Sequence, residues 1–314
     1  MTASPRVVCI GIATLDAILE VDRLPTSDER IPATGSILAG GGVAATAAVT
    51  LARLGVPVAF IGRLGDDRTG RWIRDDLAAA GVDVAGLRLD GNRRSPLSAV
   101  LVERTTGSRA LVPDVGDGGT FELRTEDLER CDAAEWIHLD HLGLGALPAL
   151  RSAGIATPIS LDDGVGVATP DDLRAVTLDA PTSDVLSARH PGLGLDDALE
   201  AAVRRGPRIV AVTRGSSGAS AVERLGDGAS RRHDAGAFPI AVRSTLGAGD
   251  VFHGVLLAGL VEGRSLDEAL ARAVVCAGLS CRSLDGRSAI PSPSELDEAM
   301  AVAANAIGAG DGRR

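Results

Sequence analysis

Ser244-Thr245-Leu246-Gly247-Ala248-Gly249-Asp250 sets two glycines, an alanine and one carboxylate directly ahead of an apolar run, 251–261. The run has helical length and a helical face, so the glycines form a turn that feeds the first turn of a buried helix. Free N–H groups and the positive end of the helix dipole make that turn a site for an anion. Asp250 stands where such an anion would repel it, so a carboxylate there calls for a function. Taking a proton from a hydroxyl that attacks a phosphate fits. Phosphoryl transfer has a loose transition state and the hydroxyl proton leaves late, so an ordinary carboxylate serves if it is positioned. Alignment of the nucleophile with the phosphate, and N–H groups aimed at developing charge, supply the rest.

A second glycine-rich helix start, Gly40-Gly41-Gly42, lies far upstream and opens the Ala-rich stretch 43–54. Asp162 and Asp163 follow an apolar strand and could help hold hydrated Mg²⁺, although a solvated loop pair is the plainer reading. His253, one turn after Asp250, reads as a hydrogen-bonded helix histidine ahead of a proton relay. His138 and His141 flank Asp140 with too few donors for a metal centre. Arg30, Arg94, Arg104 and Arg109 fall where they could meet an anionic substituent on a substrate. Ser160, Ser216 and Ser217 lack any GxSxG context, which argues against a serine hydrolase.

The 314-residue chain contains no lysine; all 32 of its basic side chains are arginine. That excludes a Schiff base, a pyridoxal-phosphate anchor, a P-loop lysine and a protein-kinase strand lysine. Phosphate must then be held by backbone N–H groups, arginine or a metal. A net charge of −10 argues against nucleic acid and anionic membrane partners, and an aromatic content of 2% removes stacking platforms. No stretch reads as a signal peptide or a membrane span. Cys9, Cys131, Cys276 and Cys281 form no CxxC pair, as in a reduced, cytoplasmic protein.

The elements that must position these residues alternate. A strand at 7–12 and a looser one after Asp16 precede the helix 43–54, which Gly55 ends. A strand at 56–61 and a helix at 71–80 follow. Short alternating runs at 97–102 and 109–112 are broken by Thr106-Gly107. Beyond residue 125, strands are expected at 136–139, 158–161, 184–187 and 209–213, with helices between them, including 196–205. Helices at 251–261, 265–281 and 294–307 complete the chain, and 308–314 reads as a frayed tail. The alternation implies an α/β fold with a doubly wound, mainly parallel sheet covered on both faces, and ligands at the carboxyl ends of its strands. The regions 16–39 and 94–112 read as insertions that build a small second sheet, a lid, on a single domain.

The motifs resemble the ribokinase-like (PfkB) family of ATP-dependent small-molecule kinases over essentially the whole chain. The late DTxGAGD signature appears as Ser244–Asp250. The early pair of glycines appears as Gly41-Gly42-Val43-Ala44-Ala45-Thr46. Gly65-Asp66-Asp67 with Gly70 fits too, as does Thr213-Arg214-Gly215-Ser216-Ser217-Gly218 against TxGxxG. In form the glycine motifs are most similar to the sulfofructose kinase-like branch. The resemblance implies Asp250 as catalytic base and the amides of Gly247, Ala248 and Gly249 as an anion hole. It implies sugar contacts from Asp16, Gly41, Gly42 and Thr46, and ATP contacts from Thr213, Gly215, Gly218 and Thr245. It also implies ATP with Mg²⁺, a monovalent cation such as K⁺, and a homodimer through the lid. Arg30 and Arg109 are the lid arginines assigned to the substrate, and Asp162 is the metal candidate. Three departures stand out. Thr46 replaces the usual Asn, Ser244 replaces the first Asp, and Asn-x-x-Glu has no match near Ser187-Ala188-Arg189-His190. A nucleoside kinase on the same fold and a non-catalytic sugar or nucleotide sensor are the alternatives, with an NAD-dependent oxidoreductase more distant.

Overall fold

The computed structural model describes residues 4–117 and 122–311, with side chains as far as Ala303. In chain order its strands are β1 Val7–Ile10, β2 Thr14–Val21, β3 Gly35–Gly41, β4 Val58–Gly65, β5 Asp83–Asp90, β6 Leu97–Glu103, β7 Arg109–Asp114, β8 Trp136–Asp140, β9 Ile159–Asp162, β10 Leu178–Asp179, β11 Ile209–Thr213, β12 Ala219–Arg224 and β13 Ser230–Ala235. The helices are α1 Val43–Arg53, α2 Arg68–Ala79, α3 Thr125–Ala133, α4 Leu147–Ser152, α5 Pro170–Ala175, α6 Ser183–Arg189, α7 Leu195–Val203, α8 Ala248–Val261, α9 Leu266–Ser280 and α10 Pro293–Asp311.

Nine strands form one sheet in the order β13-β12-β11-β10-β9-β8-β1-β4-β5. It is parallel from β5 to β11, and β12 and β13 continue it as an antiparallel hairpin. Parallel strands joined by helical crossovers are buried on both faces, and β1 follows that rule. Val7 and Cys9 join the core of α1, α8 and α9, whereas Val8 and Ile10 join the opposite core with Leu147 and Leu150. A four-stranded sheet, β3-β2-β6-β7, stands apart from it; β2 pairs in parallel with β6, and its other pairings are antiparallel.

Two glycines bring α8 unusually close to its neighbours. A Cβ on Gly254 would lie 2.8 Å from Thr50 Cβ of α1, and one on Gly259 would lie 2.6 Å from Ala269 Cβ of α9. The starts of α1 and α8 thereby converge at the carboxyl ends of β1, β8 and β9. One expected strand is wrong. Residues 184–187 are helical, within α6, because Thr182 caps that helix by accepting from Val185 N. The strand in that part of the sheet is the two-residue β10 just before it, too short to show a period. The last helix continues past 307 to Asp311; of the expected tail, 312–314 lie outside the described residues.

Candidate active site

Both glycine-rich turns end in a glycine with positive φ, Gly42 at 91° and Gly247 at 72°. Neither helix start has a side-chain cap, whereas α2, α5, α6 and α9 are capped by Asp67, Thr169, Thr182 and Ser265. The two uncapped ends differ in what their amides do. At α1 they are engaged inside the protein: Ala44 N donates to Asp140 Oδ2 (3.2 Å) and Ala45 N to Ile12 O (3.3 Å). Asp140 also accepts from Ile12 N, Leu142 N and Gly143 N, so it anchors the turn instead of meeting a ligand. At α8, Ala248 N makes a long 3.4 Å contact to Thr245 O, and among the described residues the amides of Gly247 and Gly249 find no acceptor. The free anion site is therefore at α8.

Two cavities meet at this helix start. One, of about 300 Å³, is lined by Gly247 and Asp250 together with Asp16, Gly41, Gly42 and Thr46. The other, of about 620 Å³, is lined by Ala248 and Gly249 with Thr245, Thr213, Gly215 and Gly218. Successive residues of one helical turn thus face different cavities, Gly249 the larger and Asp250 the smaller.

The smaller cavity is shaped by backbone that has no room for side chains. A Cβ on Gly41 would collide with Asp16 Oδ2, and one on Gly40 would collide with Arg287 Nη1. Asp16 lies opposite Ser98 on the inner face of the small sheet, and Thr14 Oγ1 donates to its Oδ1 (2.7 Å). Burial raises Asp16, against hydrogen bonds from Thr14 and Ser98 and the charge of Arg287. Arg287, which no sequence pattern singles out, is the buried cation of the site. Its guanidinium donates to Thr46 Oγ1 (3.1 Å), Asp76 Oδ2 (3.0 Å) and Gly41 O (2.6 Å). Thr46 therefore lines the cavity with a hydroxyl already held by arginine.

Burial raises Asp250 well above the ordinary carboxylate range, and Asp162 and Asp140 add to it; Arg287 and Arg109 act in the opposite direction. Asp162 is pushed up to about 7, first by burial and then by Asp140. It faces His253 Nε2 at 3.1 Å. Burial pushes His253 down to about 4 and His138 to about 3, so both rings are neutral near pH 7. Asp163 accepts from Val167 N, Ala168 N and Arg189. The expected metal role of Asp162 finds no supporting set: among the described residues no three His, Cys, Asp or Glu side chains are arranged to hold a metal ion.

The four arginines expected to meet substrate divide. Arg30 is exposed on the segment between β2 and β3 and lines neither cavity. Arg94 and Arg104 pair with Asp114 and Asp22. Arg109 is placed on the other side from the one expected. It lines the larger cavity, not the smaller, because the strand end that carries it leans on the α8 loop, where it donates to Thr245 Oγ1 (2.6 Å).

The pfkB family carbohydrate kinase model matches residues 4–153 and 186–293. The chain belongs to the pfkB family of carbohydrate kinases. It is 30% identical over 308 residues to a fructokinase of Klebsiella pneumoniae, covering 89% of this chain and 96% of that protein. It is 32% identical over 289 residues to an ATP-dependent ribose-1-phosphate kinase of Halopiger xanaduensis, covering 90% and 94%. The structure of Arabidopsis thaliana ribokinase complexed with ribose and ATP superposes with a TM-score of 0.80 at 25% identity, covering 95% of this chain and 99% of that one. This kinase is accordingly an ATP-dependent phosphotransferase with a sugar-type hydroxyl acceptor. Nothing in these comparisons singles out the sulfofructose branch. Among the described residues no helix is long and apolar enough to cross a membrane.

Proposed function

We propose that this kinase binds ATP in the larger cavity and a neutral, polyhydroxylated sugar in the smaller one, with Asp250 taking the proton of the attacking hydroxyl. The observation that carries this reading is that Asp250 lines the smaller cavity while the next residue back, Gly249, lines the larger one, beside amides that have no protein acceptor among the described residues. The hydroxyl attacks the γ-phosphorus, its proton passes to the Asp250 carboxylate, and the Gly247, Ala248 and Gly249 amides meet the charge that develops. Asp16 and the Gly41–Gly42 backbone hold the acceptor in line. Asp16 and Asp250 are carboxylates, and among the described residues no arginine lines the acceptor cavity, which favours a neutral sugar over a sulfonated or phosphorylated one. Mg²⁺ would enter with the nucleotide and offset its phosphate charge; among the described residues no three His, Cys, Asp or Glu side chains converge to hold it.

The four-stranded sheet serves as the lid of a single domain, and its outer face supports a homodimer. Leu15, Leu19, Leu38, Leu97, Ala99 and Val112 share that face, with Leu38 62% and Val112 69% exposed. An apolar sheet face of this kind is suited to burial against a second copy. Four free, buried cysteines favour the cytoplasm.

The test is ADP release with ketoses, aldoses, sugar acids and nucleosides as acceptors. Turnover with one or more neutral sugars is expected. Ligand-dependent melting shifts with no ADP from any acceptor would identify a sensor instead.

A further inference from the structure

The acceptor chemistry engages only part of the smaller cavity. Asp16 and Thr14 from β2, Ser98 from β6, Thr46 from α1, His141 after β8 and Asp250 from α8 supply its polar side chains. Another stretch of the wall is different in kind. Leu111 and Pro113 of β7, Val115 just beyond that strand and Val165 of the loop after β9 line the same cavity. None of these side chains can donate or accept a hydrogen bond.

Leu111 pairs with Val100, and Pro113 with Ser98, which itself pairs with Asp16, so both belong to the inner face of the small sheet. A homodimer through the outer face leaves them uncovered. Leu111 is 48% exposed, Val115 45% and Val165 59%. Apolar side chains gathered at one exposed spot call for a partner. Val165 is held there by the backbone around it. Gly164 N donates to Asp162 Oδ1 (3.1 Å), Gly166 N to Asp163 O (3.2 Å), Val167 N to Asp163 Oδ1 (2.8 Å) and Ala168 N to Asp163 Oδ2 (2.9 Å). A loop tied back through these amides presents its valine at the cavity instead of turning it into the core.

We infer that the acceptor is a deoxy sugar, whose hydroxyls meet Asp16 and Asp250 and whose methyl or methylene group lies against Leu111, Val115 and Val165, where a common sugar would carry a hydroxyl. The inference rests on the reading of the smaller cavity as the acceptor site, and it narrows the neutral sugar of that reading to one chemical class. A hydroxyl set against this wall loses its water and gains no side-chain partner. A methyl group there is itself removed from water and covers exposed apolar side chains. A nucleobase would bring ring nitrogens and carbonyls to the same wall and is disfavoured for the same reason.

The experiment is ADP release by the full-length protein with neutral aldoses and ketoses, each beside its set of monodeoxy analogues, and with nucleosides. Wild type, Val115→Thr and Val165→Thr are compared. At least one deoxy analogue should exceed its parent sugar in kcat/KM by about 10- to 100-fold. The threonine variants keep the shape of exposed residues and add a hydroxyl to the wall, so they should narrow that ratio several-fold. Deoxy analogues that are all equal to or poorer than their parents, a ratio unmoved by both variants, or nucleosides as the best acceptors would overturn the assignment to a deoxy sugar. No ADP with any compound would instead overturn the reading of the smaller cavity as an acceptor site.

Discussion

Replacing Asp250 by Asn tests the mechanism without altering its scaffold. The substitution keeps shape and removes one charge from a half-buried position on the wall of the smaller cavity. A positioned general base contributes about 10²- to 10⁴-fold, so kcat should fall by that factor, equivalent to about 3–5 kcal/mol of barrier. The amides of Gly247 and Gly249 are untouched, and a carboxylate that repels phosphate is gone, so ATP should bind as well as in wild type or better. Stability should move in the opposite sense. The folded-state pKa of Asp250 is raised above its unfolded value, so the native state binds more protons across that interval. Wild-type stability therefore falls as pH rises through it, whereas the amide variant has nothing to titrate at this position. Asp250→Asn should melt higher than wild type at pH 8, with the margin shrinking as pH drops toward 4. ADP release at saturating ATP, ATP calorimetry and melting curves at several pH values are the assays. A variant turning over within tenfold of wild type would refute Asp250 as base.

Gly247→Ala places a side chain on a residue at φ 72° with its Cβ 2.8 Å from Gly286 Cα. The left-handed conformation alone costs about 1–2 kcal/mol, so a lower denaturant midpoint with reduced kcat is expected, and an unchanged midpoint would contradict the geometry. Arg287→Met removes the cation that faces Asp16 from β2, Asp76 from α2, Asp250 from α8 and Asp285 from its own loop. The carboxyl of Asp250 then rises further and the base is ionised only at higher pH, so the acid limb of kcat/KM should move upward; a limb that stays put would detach Arg287 from the base. Val112→Asp puts a charge on the outer lid face and should yield a monomer by sedimentation, while a mass equal to that of wild type would exclude that face as the interface.

What could be read from the chain divides by range. The α8 turn was legible because local chemistry defines it: a pair of glycines, one of them at positive φ, one acid and an apolar helix adjoin in sequence. Strands β6 and β7 of the small sheet betrayed themselves by alternation. Arg287 could not be found that way, since its partners Thr46 and Asp76 are 241 and 211 residues distant and its own loop has no period. That Arg109 lines the larger cavity could not be read, because a strand pattern fixes faces, not which neighbouring loop a strand end touches. The strand β10 is two residues long, and the capped helix after it carries the stronger signal. The β12–β13 hairpin was missed for want of a sharp hydrophobic alternation in 230–235, where Arg231, Arg232 and Asp234 crowd the strand.

The side-chain-free approach of α8 at Gly254 and Gly259 bears on motion. Helices in backbone contact cannot slide without first losing their fit, so the start of α8 and Asp250 are fixed furniture of the molecule. Adjustment to substrate falls to the outlying four strands. Deuterium uptake should divide accordingly, with amides in the body of α8, beyond its unbonded first turn, exchanging only when the whole molecule opens and amides of the small sheet exchanging through smaller, more frequent excursions.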